Sequence, residues 1–267
     1  MRRASLASLA GLAVLAGLAS LAPGQASAAG SALLGGFQPI AVEDGARAAW
    51  INPAAISETG GQLVAEGVFL ETPEGYRDLS FLTIAASAPG RAYGWQLERK
   101  DLVGVPDWTL VAANVIGQKS RAKLGSTIEW RGGVHRRFDA TLGALAPLGR
   151  NLRIAAAVED LFAADVDGVA GARNWRAGAA ARGHLGYLSW DWRGVEHEKG
   201  RNIFGVGVDL EYLRVSGSLD DQDTWTAEVR LVVADHVGGV GQRKPDEGFG
   251  SRFVTTEIDA NPGGRSR

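Results

Sequence analysis

The sequence predicts an all-β fold: an antiparallel transmembrane-type β-barrel of about twelve strands, with a short N-terminal helical plug and a C-terminal polar tail. Three observations predict it. Apolar and polar residues alternate with period two in segments of about ten residues. Turn residues separate those segments at hairpin spacing. Trp and Tyr gather near segment ends, while full charges of both signs sit mid-segment on the opposite face.

The chain opens with a targeting signal. Arg2 and Arg3 form a positive n-region, ASLAGLAVLAGLASLA is an apolar h-region, and Ala26-Ser27-Ala28 is a small-residue cleavage site. Residues 1–28 are therefore expected to be a signal peptide, with the mature chain starting at Ala29. A membrane anchor is the competing reading. Length weighs against it, because the apolar run ends at Pro23, short of the roughly 20 residues a spanning helix needs.

Composition narrows the function classes. The chain has no cysteine, so it uses neither disulfides nor thiolate chemistry. Its net charge of −2 gives no basic surface for nucleic acid. No later segment reads as a membrane-spanning helix, which leaves a soluble β fold or a barrel.

Residues 29–60 are expected to form the plug. Asp44 can cap the GARAAW turn. Asn52 is a strong N-cap, Pro53 is favoured at the first helical position, and Ala54 continues the turn. Pro53 also keeps Asn52 out of the helical region, so a helix through Trp50 must stop there. Two such short helices need a surface to pack on, and the inside of a barrel offers one.

Residues 61–234 are expected to be the barrel, its strands running from near Gln62 to near Ala234. AYGWQLERK sets Tyr93, Trp95 and Leu97 against Gly94, Gln96 and Glu98. KLGSTIEWR sets Leu124, Ser126, Ile128 and Trp130 against Gly125, Thr127, Glu129 and Arg131. NWRAGAAAR sets Trp175 and three alanines against Arg176, Gly178 and Arg182. NIFGVGVDLEY sets Phe204, Val206 and Val208 against Gly205, Gly207 and Asp209. TWTAEVRLVV sets Trp225, Val229 and Leu231 against Thr226, Glu228 and Arg230. The expected lumen-facing charges are Glu129, Arg131, Arg153, Glu159, Arg176, Asp209, Glu228 and Arg230. The expected aromatic girdles are Tyr93, Trp108, Trp130, Trp175, Trp190, Trp192, Tyr212 and Trp225. Longer connections around 101–107 and 161–173 are expected on one rim. A secreted β-sandwich with a solvated face is the alternative architecture. Residues 235–267 read as a Gly-rich polar tail.

Asp44, Ala46, Ala48, Ala49 and the triplet Asn52-Pro53-Ala54 resemble the N-terminal signature of FadL/PorV-type outer-membrane barrels. The layout of the mature chain is similar to the barrel-like region ahead of the peptidase domain in some bacterial SppA-type proteins. The resemblance implies an N-terminal plug in the lumen, residence in the outer membrane, and passage or binding of a hydrophobic small molecule. PorV-type proteins imply the alternative, a non-catalytic scaffold that holds a periplasmic or secretion partner. The likeness is to the barrel-like region and not to the peptidase domain, so no protease activity is expected from it.

Nothing else in the sequence nominates chemistry. His135, His184, His197 and His236 are scattered, so no metal site is expected. Neighbouring carboxylates such as Glu159-Asp160 point to opposite faces of a strand and cannot act as a pair. No Gly-x-Ser-x-Gly occurs. GGVGQRK at 238–244 reads as a flexible turn, not a phosphate loop. The expectation is a non-enzymatic barrel without cofactors. Its partners would be outer-membrane lipid and either a hydrophobic ligand or a periplasmic protein.

Overall fold

The computed structural model describes residues 38–43, 45–57, 60–71, 77–99, 107–116, 122–133, 136–162, 172–196, 200–245 and 250–259. The signal peptide, Asp44, His135 and His197 lie outside the described residues.

The chain forms one closed barrel of fourteen strands. In order these are β1 (Gln62–Glu71), β2 (Arg77–Ala88), β3 (Arg91–Glu98), β4 (Asp107–Ile116), β5 (Lys123–Gly132), β6 (Arg137–Pro147), β7 (Leu152–Glu159), β8 (Asn174–Arg182), β9 (Gly186–Val195), β10 (Arg201–Asp209), β11 (Leu213–Asp220), β12 (Trp225–Val233), β13 (His236–Lys244) and β14 (Ser251–Asp259). Each pairs antiparallel with its sequence neighbours. β1 also pairs with β14, with Gln62 opposite Asp259 and Leu70 opposite Ser251, and this closes the sheet. Closure leaves no edge strand with unpaired backbone groups.

The count of twelve strands is thus corrected to fourteen, and the two additional strands lie inside the stretch read as a polar tail. The physical reason is local. β13 carries Gly238, Gly239 and Gly241, which weaken strand propensity and read as a loop. β14 turns Phe253 inward and Arg252 outward, so its apolar residues do not fall on one face. Pairing on both sides holds these strands in place of propensity. GGVGQRK is therefore part of β13, not a turn.

The barrel is inside out relative to a soluble fold. On β5, outward Ile128 is 53% exposed while inward Glu129 is 8% exposed. The same alternation places Leu110, Phe204, Val206, Val229 and Leu231 on the outer wall. One rim carries the short turns at 89–90, 148–151, 183–185, 210–212 and 234–235, together with the start of β1 and the end of β14. The strand ends at the other rim, the long-loop rim, are joined by the longer links of sequence, 99–106 and 160–173, most of which lie outside the described residues. Outward tryptophans (Trp108, Trp130, Trp175, Trp192, Trp225) stand near the long-loop rim, and Tyr93 and Tyr212 near the short-turn rim.

Inside the barrel lie α1 (Ala48–Ile51) and a single 3₁₀ turn (Pro53–Ala55), joined at Asn52 in extended backbone. The two turns and the residues flanking them supply about half of the main apolar cluster, among them Ile40, Ala46, Ala48, Ala49, Trp50, Ile51, Ala54 and Ile56, and the wall supplies the rest, among it Val64, Ala85, Ala92, Val111 and Ala113. A second, smaller cluster joins Val68, Phe81 and Phe253.

Candidate functional site

The candidate site is the lumen and the segment that fills it. Asn52 is completely buried and its carboxamide is fully used. Its Oδ1 accepts from the Ala54 amide at 3.1 Å, the expected cap, and its Nδ2 donates to the Ala144 carbonyl at 3.1 Å. Pro53 occupies the first position of the 3₁₀ turn. Arg47 is the residue before α1, and it makes no side-chain cap.

One wall receives the segment by shape. Gly125 of β5 and Gly143 of β6 stand opposite each other and face inward. A Cβ on Gly125 would overlap the Pro53–Ala54 peptide, and one on Gly143 would overlap the Asn52 carboxamide. Gly94 on β3 leaves the space taken by the Trp50 indole. Thr127 Oγ1 donates to the Ala49 carbonyl at 2.8 Å, so the C-terminal end of α1 is tied to the same wall.

The opposite side holds the segment by charge. Arg47, 1% exposed, lies 3.5 Å from Glu66 of β1 and 3.4 Å from Glu257 of β14, and it donates to Thr255. Gln62 donates to Glu257 at 2.6 Å and accepts from the Ala46 amide at 2.7 Å. Further along the chain, Asp191 of β9 accepts from the Ile40 amide at 3.0 Å. A buried charge is tolerated only with such partners.

Glu129, Arg131, Arg153, Glu159, Arg176, Asp209, Glu228 and Arg230 lie on the inward faces of their strands. Glu228 and Arg230 pair at 2.7 Å, and Arg230 reaches Glu257 at 3.7 Å. Glu159 and Arg176 pair at 2.7 Å. Glu129 pairs with Arg131, which lies 3.6 Å from Asp160. Arg137 bridges Asp139 and Asp160, the latter at 2.7 Å. Asp209 lies 3.7 Å from Arg214 near the short-turn rim, and Arg153 is half-buried on the inward face of β7. Asp160 sits just beyond β7 with φ 52°. Burial pushes its carboxyl up to about 6, against the pull of Arg131 and Arg137.

Arg176 faces Arg193 across β8–β9, and Arg193 faces Arg201 across β9–β10. Like charges in register repel. Glu159 offsets Arg176, and Asp220 offsets Arg201 at 3.5 Å. The wall at β8–β10 is therefore densely ionic, while the wall at β3–β6 is small and apolar around the segment.

Sequence reasoning found Asn52 and Pro53 but missed Arg47, Glu66, Glu257 and the glycines that receive the segment. Mid-strand glycines on the inward face were the available signal, since such glycines mark close approach of another backbone. Among the described residues no group of three or more His, Asp or Glu is placed to hold a metal ion.

No family model matches the chain, and no curated protein matches it. Solved structures do. Toluene transporter TbuX from Ralstonia pickettii aligns with a TM-score of 0.51 at 11% identity, covering 85% of this chain and 98% of that one. Outer membrane protein Omp33 from Acinetobacter baumannii aligns with a TM-score of 0.51 at 10% identity, covering 74% and 97%. The fold is that of an outer-membrane β-barrel. Its closed sheet, apolar outer wall and two aromatic belts are what such a barrel needs in a bilayer, where every backbone polar group must be satisfied internally.

Proposed function

We propose that the protein is a FadL-type outer-membrane barrel that binds or passes a hydrophobic small molecule, with residues 38–57 as its plug. The observation that carries this reading is the apolar segment buried in a lumen whose other wall is ionic. A permanently sealed barrel has no need of a separately docked, hydrogen-bonded stopper, whereas a conducting one does. The likeness of fold to a toluene transporter supports the same direction. The short-turn rim, with both ends of the sheet, faces the periplasm, and the long-loop rim faces outward.

The absence of cysteine makes a clean test possible. Ala49→Cys with Thr127→Cys places two thiols where α1 meets β5. In liposomes loaded with a fluorescent scavenger of an aromatic hydrocarbon, the reduced variant should take up the hydrocarbon and the oxidised variant should not. Equal uptake in both states, at the rate of protein-free liposomes, would favour the scaffold reading, in which the barrel holds a periplasmic or secretion partner.

A further inference from the structure

The outer wall carries a feature that the lumen reading does not use. Near the long-loop rim, Trp108 of β4 and Trp130 of β5 meet edge to face, with centroids 5.6 Å apart and planes at 65°. Gly132 leaves room for this, since a Cβ there would overlap the Trp108 indole. Gly133 turns the chain with φ 115°. Together with Arg136 these residues line a notch of about 400 Å³. Trp130 stands opposite Phe138, which stacks on Phe162 at 5.9 Å, so the aromatic surface continues sideways.

The cations around the notch divide by direction. Arg131 and Arg137 point inward, to Glu129, Asp139 and Asp160. Arg136, exposed at the head of β6, lines the outer notch and makes no ion pair among the described residues. An aromatic floor with a guanidinium at its water-side edge matches one kind of molecule: an apolar chain below, a phosphate above. Indoles favour the level where acyl chains meet headgroups, and guanidinium forks match phosphate oxygens. A free anion would have no use for the aromatic floor, and a neutral lipid no use for the arginine.

We propose that this notch binds a phosphorylated lipid of the outer leaflet, its phosphate on Arg136 and its chain against Trp108 and Trp130. The proposal rests on the membrane-barrel reading. Native mass spectrometry from a non-ionic detergent, with dioleoyl phosphatidic acid or dioleoyl phosphatidylcholine added, tests it. The unmutated protein should retain phosphatidic acid preferentially. Arg136→Gln should cut that retention about fivefold, the weight of one basic residue at a lipid surface, and should weaken phosphatidylcholine less, because its singly charged phosphate is offset by its own choline. Trp130→Ala should weaken both lipids. Arg252→Gln, an exposed outward arginine of β14, should change neither. The proposal is overturned if Arg136→Gln keeps the full preference, or if Arg252→Gln loses as much, which would mean diffuse surface charge. Heat-modifiability on a gel separates the two levels: a heat-shifted barrel without lipid preference sinks this site alone, and a chain soluble without detergent sinks the membrane reading with it.

Discussion

β5 and β12 wear the same outer face, and each carries an inward Glu-x-Arg pair, but they meet the buried segment in different ways. Outside, β5 shows Leu124, Ile128 and Trp130, and β12 shows Trp225, Val229 and Leu231, all exposed apolar residues. Inside, β5 offers Gly125 and Thr127 to the plug, while β12 offers Glu228 and Arg230 to an ion network that reaches Arg47 through Glu257. One solvent sets the outer face, so one rule serves both strands. The inner face answers to whatever each strand touches, so it varies around the barrel. The buried segment is consequently docked by shape on one side and by charge on the other.

The charged side should be the more expensive to break. Arg47→Met leaves Glu66 and Glu257 buried beside each other without their shared cation, and should destabilise the protein by about 3–5 kcal/mol. Adding Glu66→Gln and Glu257→Gln should recover much of that loss in denaturant unfolding. If the single change is harmless, Arg47 does not anchor the plug.

The outer face comes next. Ile128→Arg, near mid-strand, should cost about 2–4 kcal/mol in a bilayer, whereas Glu129→Gln on the inward face should cost less, because Arg131 keeps Asp160 as a partner. Equal and mild effects in a membrane-refolding assay would mean that β5 does not face lipid.

The shape-matched side is the third test. Gly143→Val pushes a side chain into the space of the Asn52 carboxamide, and overpacking of this kind costs about 1–3 kcal/mol. The loss should fall on plug docking and leave the barrel heat-modifiable. A variant with the plug as protected as before would show that the contact at Gly143 yields without consequence.

The contrast between the two strands also explains what was legible in the sequence. The outward rule could be read directly from KLGSTIEWR and TWTAEVRLVV, because lipid demands apolar side chains at every second position. Asn52-Pro53 was legible because capping is local. β13 was not, since its glycines carry no alternation and only its two neighbours hold it extended. Arg47 was not legible either. Within GARAAW it reads as a solvated residue, and its burial depends on carboxylates from β1 and β14, far away in sequence. The glycines that receive the plug read as ordinary strand glycines until something is seen lying against them.

The central claim is that residues 42–57 are a docked part of the folded lumen. Amide hydrogen exchange on the detergent-solubilised barrel tests this most directly. The described amides of that stretch should exchange slowly, as strand amides do. Asn52→Ala, which removes about 1 kcal/mol of capping, should speed exchange there and nowhere else. Exchange over 42–57 as fast as in a free peptide, in the unmutated protein, would contradict the account: the stretch would be a loose leader, and the plugged lumen and its gated passage would fall together.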